Sequence, residues 1–155
     1  METNTKRFAP ALCWGIFIFV LCAMPSKNIP DFSWLDIIAP DKWGHAVMHG
    51  VLTTLLLMGK HQLPISIFKL SFYKTLIINL KQGGNPSIMP IFGNPIHLLL
   101  AIASCLYGVS MEYYQGYFCP DRSFDWLDAL ADSVGSFVAL WFYAKYIFGI
   151  KSGNK

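Results

Sequence analysis

Charged side chains are scarce in this chain. Nine acidic and twelve basic residues among 155 make up 14% of it, against about 25% in a typical soluble domain. That scarcity excludes an ordinary water-facing surface around the whole molecule. The net charge of +3 is too small to argue for a nucleic-acid partner, and none is expected. Cysteine is sparse too. Cys13, Cys22, Cys105 and Cys119 form no Cys-x-x-Cys pair, which excludes zinc-ribbon and thioredoxin-like readings. They read as apolar filler, with a Cys22–Cys119 disulfide left open. Internal repeats and low-complexity tracts are absent, so a repeat array is excluded as well.

Apolar residues are abundant, at 54% of the chain. The length suits one domain, and the balance predicts an all-α, polytopic membrane protein. Four apolar runs are the expected spans, at about 8–24, 41–59, 95–115 and 125–148. The first is at the short end for a span and has Pro10 at its start. A cleaved signal peptide is its rival. No Ala-x-Ala precedes a cleavage point, and Leu21 is too large for a lipoprotein site at Cys22, so the run reads as a retained helix. Pro25, Pro30 and Pro40 mark a loop, with an interfacial turn near Trp34. Residues 60–94 carry Lys60, Lys69, Lys74 and Lys81 and the turn-rich Gln82-Gly83-Gly84-Asn85-Pro86. They read as a cytoplasmic linker or interfacial segment. Small residues at four-residue spacing predict close helix approach, at Ser104 and Gly108 and again at Ala131, Gly135 and Ala139.

Four spans put both termini on one side. Lys6, Arg7, Lys60, Lys69, Lys74, Lys81, Lys145, Lys151 and Lys155 share that side, and Lys27, Lys42 and Arg122 lie opposite. The excess of positive charge predicts cytoplasmic termini in the inner membrane. Every acidic residue except Glu2 then falls at the outer face.

The acids cluster there. Asp41, Lys42 and His45 open the second run, Glu112 and Gln115 end the third, Arg122 lies in the loop, and Asp125, Asp128 and Asp132 begin the fourth. His45, His49 and Thr53 share one helical face, while Leu52 and residues 55–58 are expected to meet lipid. Asp132 lies roughly 10 Å deeper than Asp125 at about 1.5 Å per residue. An ionisable group inside a span is by default a functional hypothesis.

The expected site is a polar pocket open to the outer leaflet. Glu112, Asp128 and His45 are candidate acid–base groups. Arg122, Lys42, Gln115 and Asp41 are candidate substrate-binding residues, with Arg122 suited to an anionic group. Glu112, Asp128 and Asp132 are candidate ligands for a divalent cation, which favours oxygen. Bland roles stand beside these. Asp41 and Asp125 suit helix caps, Lys42 suits an interfacial lysine, Asp121 suits solvent, and His49 suits a hydrogen bond within the bundle. Arg122 paired with Glu112 or Asp128 would merely pin the helices.

In order and spacing these residues resemble the VanZ-like membrane proteins. The matches are Asp41-Lys42-Trp43-Gly44-His45, Tyr107-Gly108 with Glu112 and Gln115, then Arg122, then Asp128 with Ala131 and Gly135. Together they cover roughly residues 34–142. Asp132 stands where the family usually has Asn. The resemblance implies a multi-pass protein of the cell envelope, associated with resistance to the glycopeptide teicoplanin, with no settled reaction. It implies membrane lipid as surroundings and a lipid-linked envelope precursor as a candidate partner. The alternatives are an intramembrane, metal-assisted enzyme acting on a lipid-linked phosphate, or a structural or transport subunit.

Overall fold

The second apolar run becomes the central helix. In the computed structural model, which describes residues 5–24, 40–61, 95–120 and 122–144, four helices are present and no strand is found among those residues. They are α1 (Thr5–Cys22), α2 (Pro40–His61), α3 (Pro95–Phe118) and α4 (Trp126–Phe142). Helix α2 touches each of the other three, most extensively α4, and α3 also packs on α4. The turn near Trp34, residues 62–94, Asp121 and residues 145–148 lie outside the described residues.

Each boundary differs from expectation for a local reason. Pro10 lies inside α1 rather than at its start. Helix α2 begins at Pro40, which puts Asp41 in the first turn and not at the cap. Proline suits the first helical position because the backbone N–H it lacks would be unbonded anyway. Helix α3 continues past Gly116 to Phe118. Gly116 does not break the helix. It gives room to the returning chain, since a Cβ there would lie 3.1 Å from the Phe124 backbone nitrogen. Asp125 does cap α4, accepting from the Leu127 N–H at 2.8 Å.

Because α2 has neighbours on three sides, Leu52, Leu57 and Met58 are buried rather than turned outward. Leu57 and Met58 join Ala101, Leu140 and Tyr143 in one apolar cluster. Leu52 joins Ala11, Ile18, Cys22 and Met111 in another. Glycines set the close approaches. A Cβ on Gly135 would run into the Ala46 backbone, and one on Gly108 would run into the Asp132 side chain. Both small-residue spacings thus sit at helix crossings.

Helix α1 is held by polar contacts to its neighbours' backbones. The Trp14 indole donates to the Met48 carbonyl at 2.9 Å, and the Tyr107 hydroxyl donates to the Gly15 carbonyl at 2.7 Å. Tyr107→Phe removes only that hydroxyl. It is expected to cost about 0.5–1 kcal/mol, read as a small fall in the denaturation midpoint of the purified protein. No fall at all would show that the bond contributes nothing.

Beside these apolar clusters, many polar side chains are buried and many large apolar ones are exposed. Glu112, Asp132, His49, Thr53, Ser104 and Ser136 are among the most buried side chains, while Leu12, Val47, Leu106 and Leu130 are each at least 58% exposed. One helix among the described residues, Pro95–Phe118, is by its own length and composition apolar enough to cross a membrane.

Candidate functional site

Three helix segments supply the site: the first turns of α2, the last turns of α3 and the first turns of α4. The 3.6-residue period stacks His45, His49 and Thr53 on one face of α2, and all three are buried. It likewise places Ser104, Gly108, Glu112 and Gln115 inward on α3, and Asp128, Asp132 and Ser136 inward on α4.

The site is graded from dry to wet. Side-chain exposure is 1% for Asp132 and for Glu112, 10% for Asp128, 30% for Lys42 and 70% for Asp41. The expected open pocket is therefore a closed cluster whose outermost members reach solvent. Two large grooves lie elsewhere, on apolar faces. One runs between α2 and α4 past Trp43, Val47 and Val138, and the other runs between α1, α2 and α3 past Leu12 and Tyr107.

At the outer edge, Lys42 Nζ donates to Asp125 Oδ2 at 2.8 Å and to Asp128 Oδ1 at 2.6 Å. Lys42 is thus committed to two carboxylates. The suggested partner, Arg122, makes no ion pair among the described residues. Its backbone N–H bonds the Cys119 carbonyl at 3.4 Å.

Deeper in, His45 is ringed by acids. Its Nδ1 lies 3.1 Å from Asp132 Oδ1 and 3.8 Å from Glu112 Oε1, while its Nε2 lies 3.9 Å from Asp41 Oδ1 and 4.0 Å from Asp128 Oδ2. Glu112 Oε2 accepts the Asp125 backbone N–H at 3.3 Å. Glu112 Oε1, Gln115 Nε2 and Asp132 Oδ2 are buried without a hydrogen-bond partner. Such groups are costly in a dry interior. The structure thus brings together Asp41, Lys42, His45, Glu112, Asp128 and Asp132. Gln115 is buried on the same face of α3 as Glu112.

The sequence reading left His49 out of the site. Its Nε2 lies 3.5 Å from Asp132 Oδ1. Its Nδ1 lies 3.1 Å from the Ser104 carbonyl, and the Ser136 hydroxyl donates to that of Ser104 at 3.0 Å. The signal was its four-residue spacing from His45. What the sequence lacked was the neighbour, because Asp132 meets His49 only once α4 lies on α2. Cys22 and Cys119 are free and buried, with the Cys119 thiol 3.6 Å from the Cys22 carbonyl.

The chemistry of the cluster favours cations. Asp41, Glu112, Asp125, Asp128 and Asp132 outnumber the one lysine paired among them, Lys42, so an anion entering here meets a surplus of carboxyl groups. Histidine and carboxylate groups together supply both proton-transfer and metal-ligand chemistry.

Compared with known proteins, the chain matches no family model, no curated protein and no solved structure.

Proposed function

We propose that this chain is a VanZ-like, multi-pass protein of the inner membrane, with α1 to α4 all crossing the bilayer, both termini in the cytoplasm and the acid–histidine cluster at the outer face. Its proposed role is to lower the sensitivity of the cell envelope to a teicoplanin-type glycopeptide. The observation that carries the membrane reading is the burial of polar side chains beside the exposure of apolar ones. Among the described residues ten polar side chains are buried, while large apolar groups are exposed on all four helices, most sparsely on α2. Water penalises exposed apolar patches of that extent, whereas lipid tails accept them and penalise exposed polar groups. Burial among neighbours also accounts for the modest hydropathy of α2, whose polar residues face the other helices and not the lipid.

The envelope role rests on the sequence motifs named above, several of whose residues converge at one end of the helices. The test uses a Gram-positive host producing the full chain, with membrane levels matched across variants. Wild type is expected to raise teicoplanin tolerance. Glu112→Gln, Arg122→Ala and Asp128→Asn are expected to abolish the increase. Equal protection by all four proteins would make the cluster architectural, and no protection by wild type would remove the envelope reading.

A further inference from the structure

The buried end of the cluster holds acceptor atoms that no donor reaches, Glu112 Oε1 and Asp132 Oδ2. His49 Nδ1 sits 3.1 Å from the Ser104 carbonyl. A carbonyl only accepts, so the ring proton belongs on Nδ1. His49 Nε2 then presents a lone pair to Asp132 Oδ1, 3.5 Å away. Asp132 Oδ1 also faces His45 Nδ1, which in turn faces Glu112 Oε1. Glu112 is wholly buried, and its Oε1 has no hydrogen-bond partner. Ligand-type atoms converging in a dry space, one of them without any partner, suit a positive charge between them.

We infer that His45 Nδ1, Glu112 Oε1 and Asp132 Oδ1 hold a first-row divalent cation of the zinc type, leaving a fourth position for a non-protein ligand such as water. One ligand atom from each of His45, Glu112 and Asp132 lies within 4.8 Å of the others. Zinc bonds to nitrogen and oxygen of about 2.0–2.2 Å place tetrahedral ligand atoms roughly 3.3–3.6 Å apart. The spacings of 3.1 and 3.8 Å from His45 Nδ1 to its two acidic neighbours bracket that value. The surroundings also fit. Ligating histidines usually point their other ring nitrogen at a carbonyl or carboxylate. His45 Nε2 lies 3.9 and 4.0 Å from Asp41 and Asp128, which are the nearest carboxylates to serve it as outer partners once an ion sits at Nδ1. Imidazole ligands select against magnesium and calcium, which prefer all-oxygen sets. This assignment stands on ligand geometry and does not depend on the envelope reading.

The test is Zn²⁺ binding by full-length protein, purified in detergent and stripped with chelator. Wild type is expected to take up about one ion per chain in competition with a chromophoric chelator, and to gain a d–d absorption band with Co²⁺. Glu112→Gln and Asp132→Asn keep side-chain shape, and circular dichroism checks that each remains helical. Each is expected to lose more affinity than the ~10–100-fold that outer partners contribute, whereas Asp41→Asn stays within that range. Three results overturn the assignment: wild type that takes up no Zn²⁺, folded Glu112→Gln and Asp132→Asn that bind as wild type does, or millimolar Ca²⁺ that displaces Zn²⁺. Loss of binding in Asp41→Asn alone would move the ion to the Asp41–His45–Asp128 trio and refute the site proposed here.

Discussion

Gly135→Ala is expected to be the most damaging single-methyl change in this protein. A Cβ at that position would overlap the carbonyl carbon, carbonyl oxygen and Cα of Ala46. Those are backbone atoms, and no rotamer change moves them aside. Helix α2 would have to retreat from α4 along their whole contact, the most extensive in the molecule. Overpacking of a well-packed interior costs typically about 1–3 kcal/mol. A collision with backbone belongs at or beyond the top of that range. The measurement is the denaturation midpoint of the purified variant beside Gly44→Ala. Gly44 has nothing within 4 Å of its would-be Cβ, so alanine there is expected to help by up to about 1 kcal/mol through helix propensity. If the two variants melt together, the α2–α4 contact is looser than described here.

Lys42→Met is expected to follow in severity. It leaves Asp125 and Asp128 without their shared cation. Breaking a fully buried pair costs about 3–5 kcal/mol, while an exposed pair is worth about 0–1 kcal/mol. Lys42 is 30% exposed and Asp128 10%, which places the loss between those limits, at about 2 kcal/mol. The double variant Lys42→Met/Asp128→Asn removes the stranded charge, so most of the stability returns. Equilibrium denaturation of the two single variants and the double variant measures the coupling directly. A Lys42→Met protein as stable as wild type would mean that water already screens the pair. The same cycle bears on the metal, because Asp128 faces His45 from outside the proposed ligand set.

Much of this arrangement was legible in the sequence. The apolar runs located all four helices, because a long run bounded by proline or acidic residues has few other folds available. The four-residue spacings of Ser104–Gly108 and Ala131–Gly135–Ala139 located the close crossings, since only small residues admit a neighbouring backbone. The inward set of Glu112, Gln115, Asp128 and Asp132 followed from helical period alone. Partner choice did not. Sequence offered Arg122 as the cation for Glu112 or Asp128, and the folded chain uses Lys42 for Asp128. Both cations lie near the acids in the sequence pattern, and only the approach of α2 to α4 selects between them. Lipid-facing positions on α2 were misjudged for a related reason. Leu52, Leu57 and Met58 look like outer-surface residues until three neighbours surround that helix.

Placing the acids inside the bundle also constrains how the chain enters a bilayer. In the spanning arrangement proposed above, α4 carries Asp128 and Asp132, α3 carries Glu112, and the first turns of α2 carry Asp41, Lys42, His45 and His49. An ionised side chain on a solitary helix costs about 2.5–3.5 kcal/mol at mid-membrane and less toward an interface, and within these three helices only Asp41 and His45 of α2 face each other. Helix α1 has no such handicap beyond Lys6 and Arg7 at its end. It can partition into lipid as soon as it is made. The other three become comfortable there only once Lys42 has found Asp128 and His45 has found Asp132. If all four helices span, transfer of these three into lipid is expected to be favoured as a group, with α2 and α3 pairing with α4 as they leave the water.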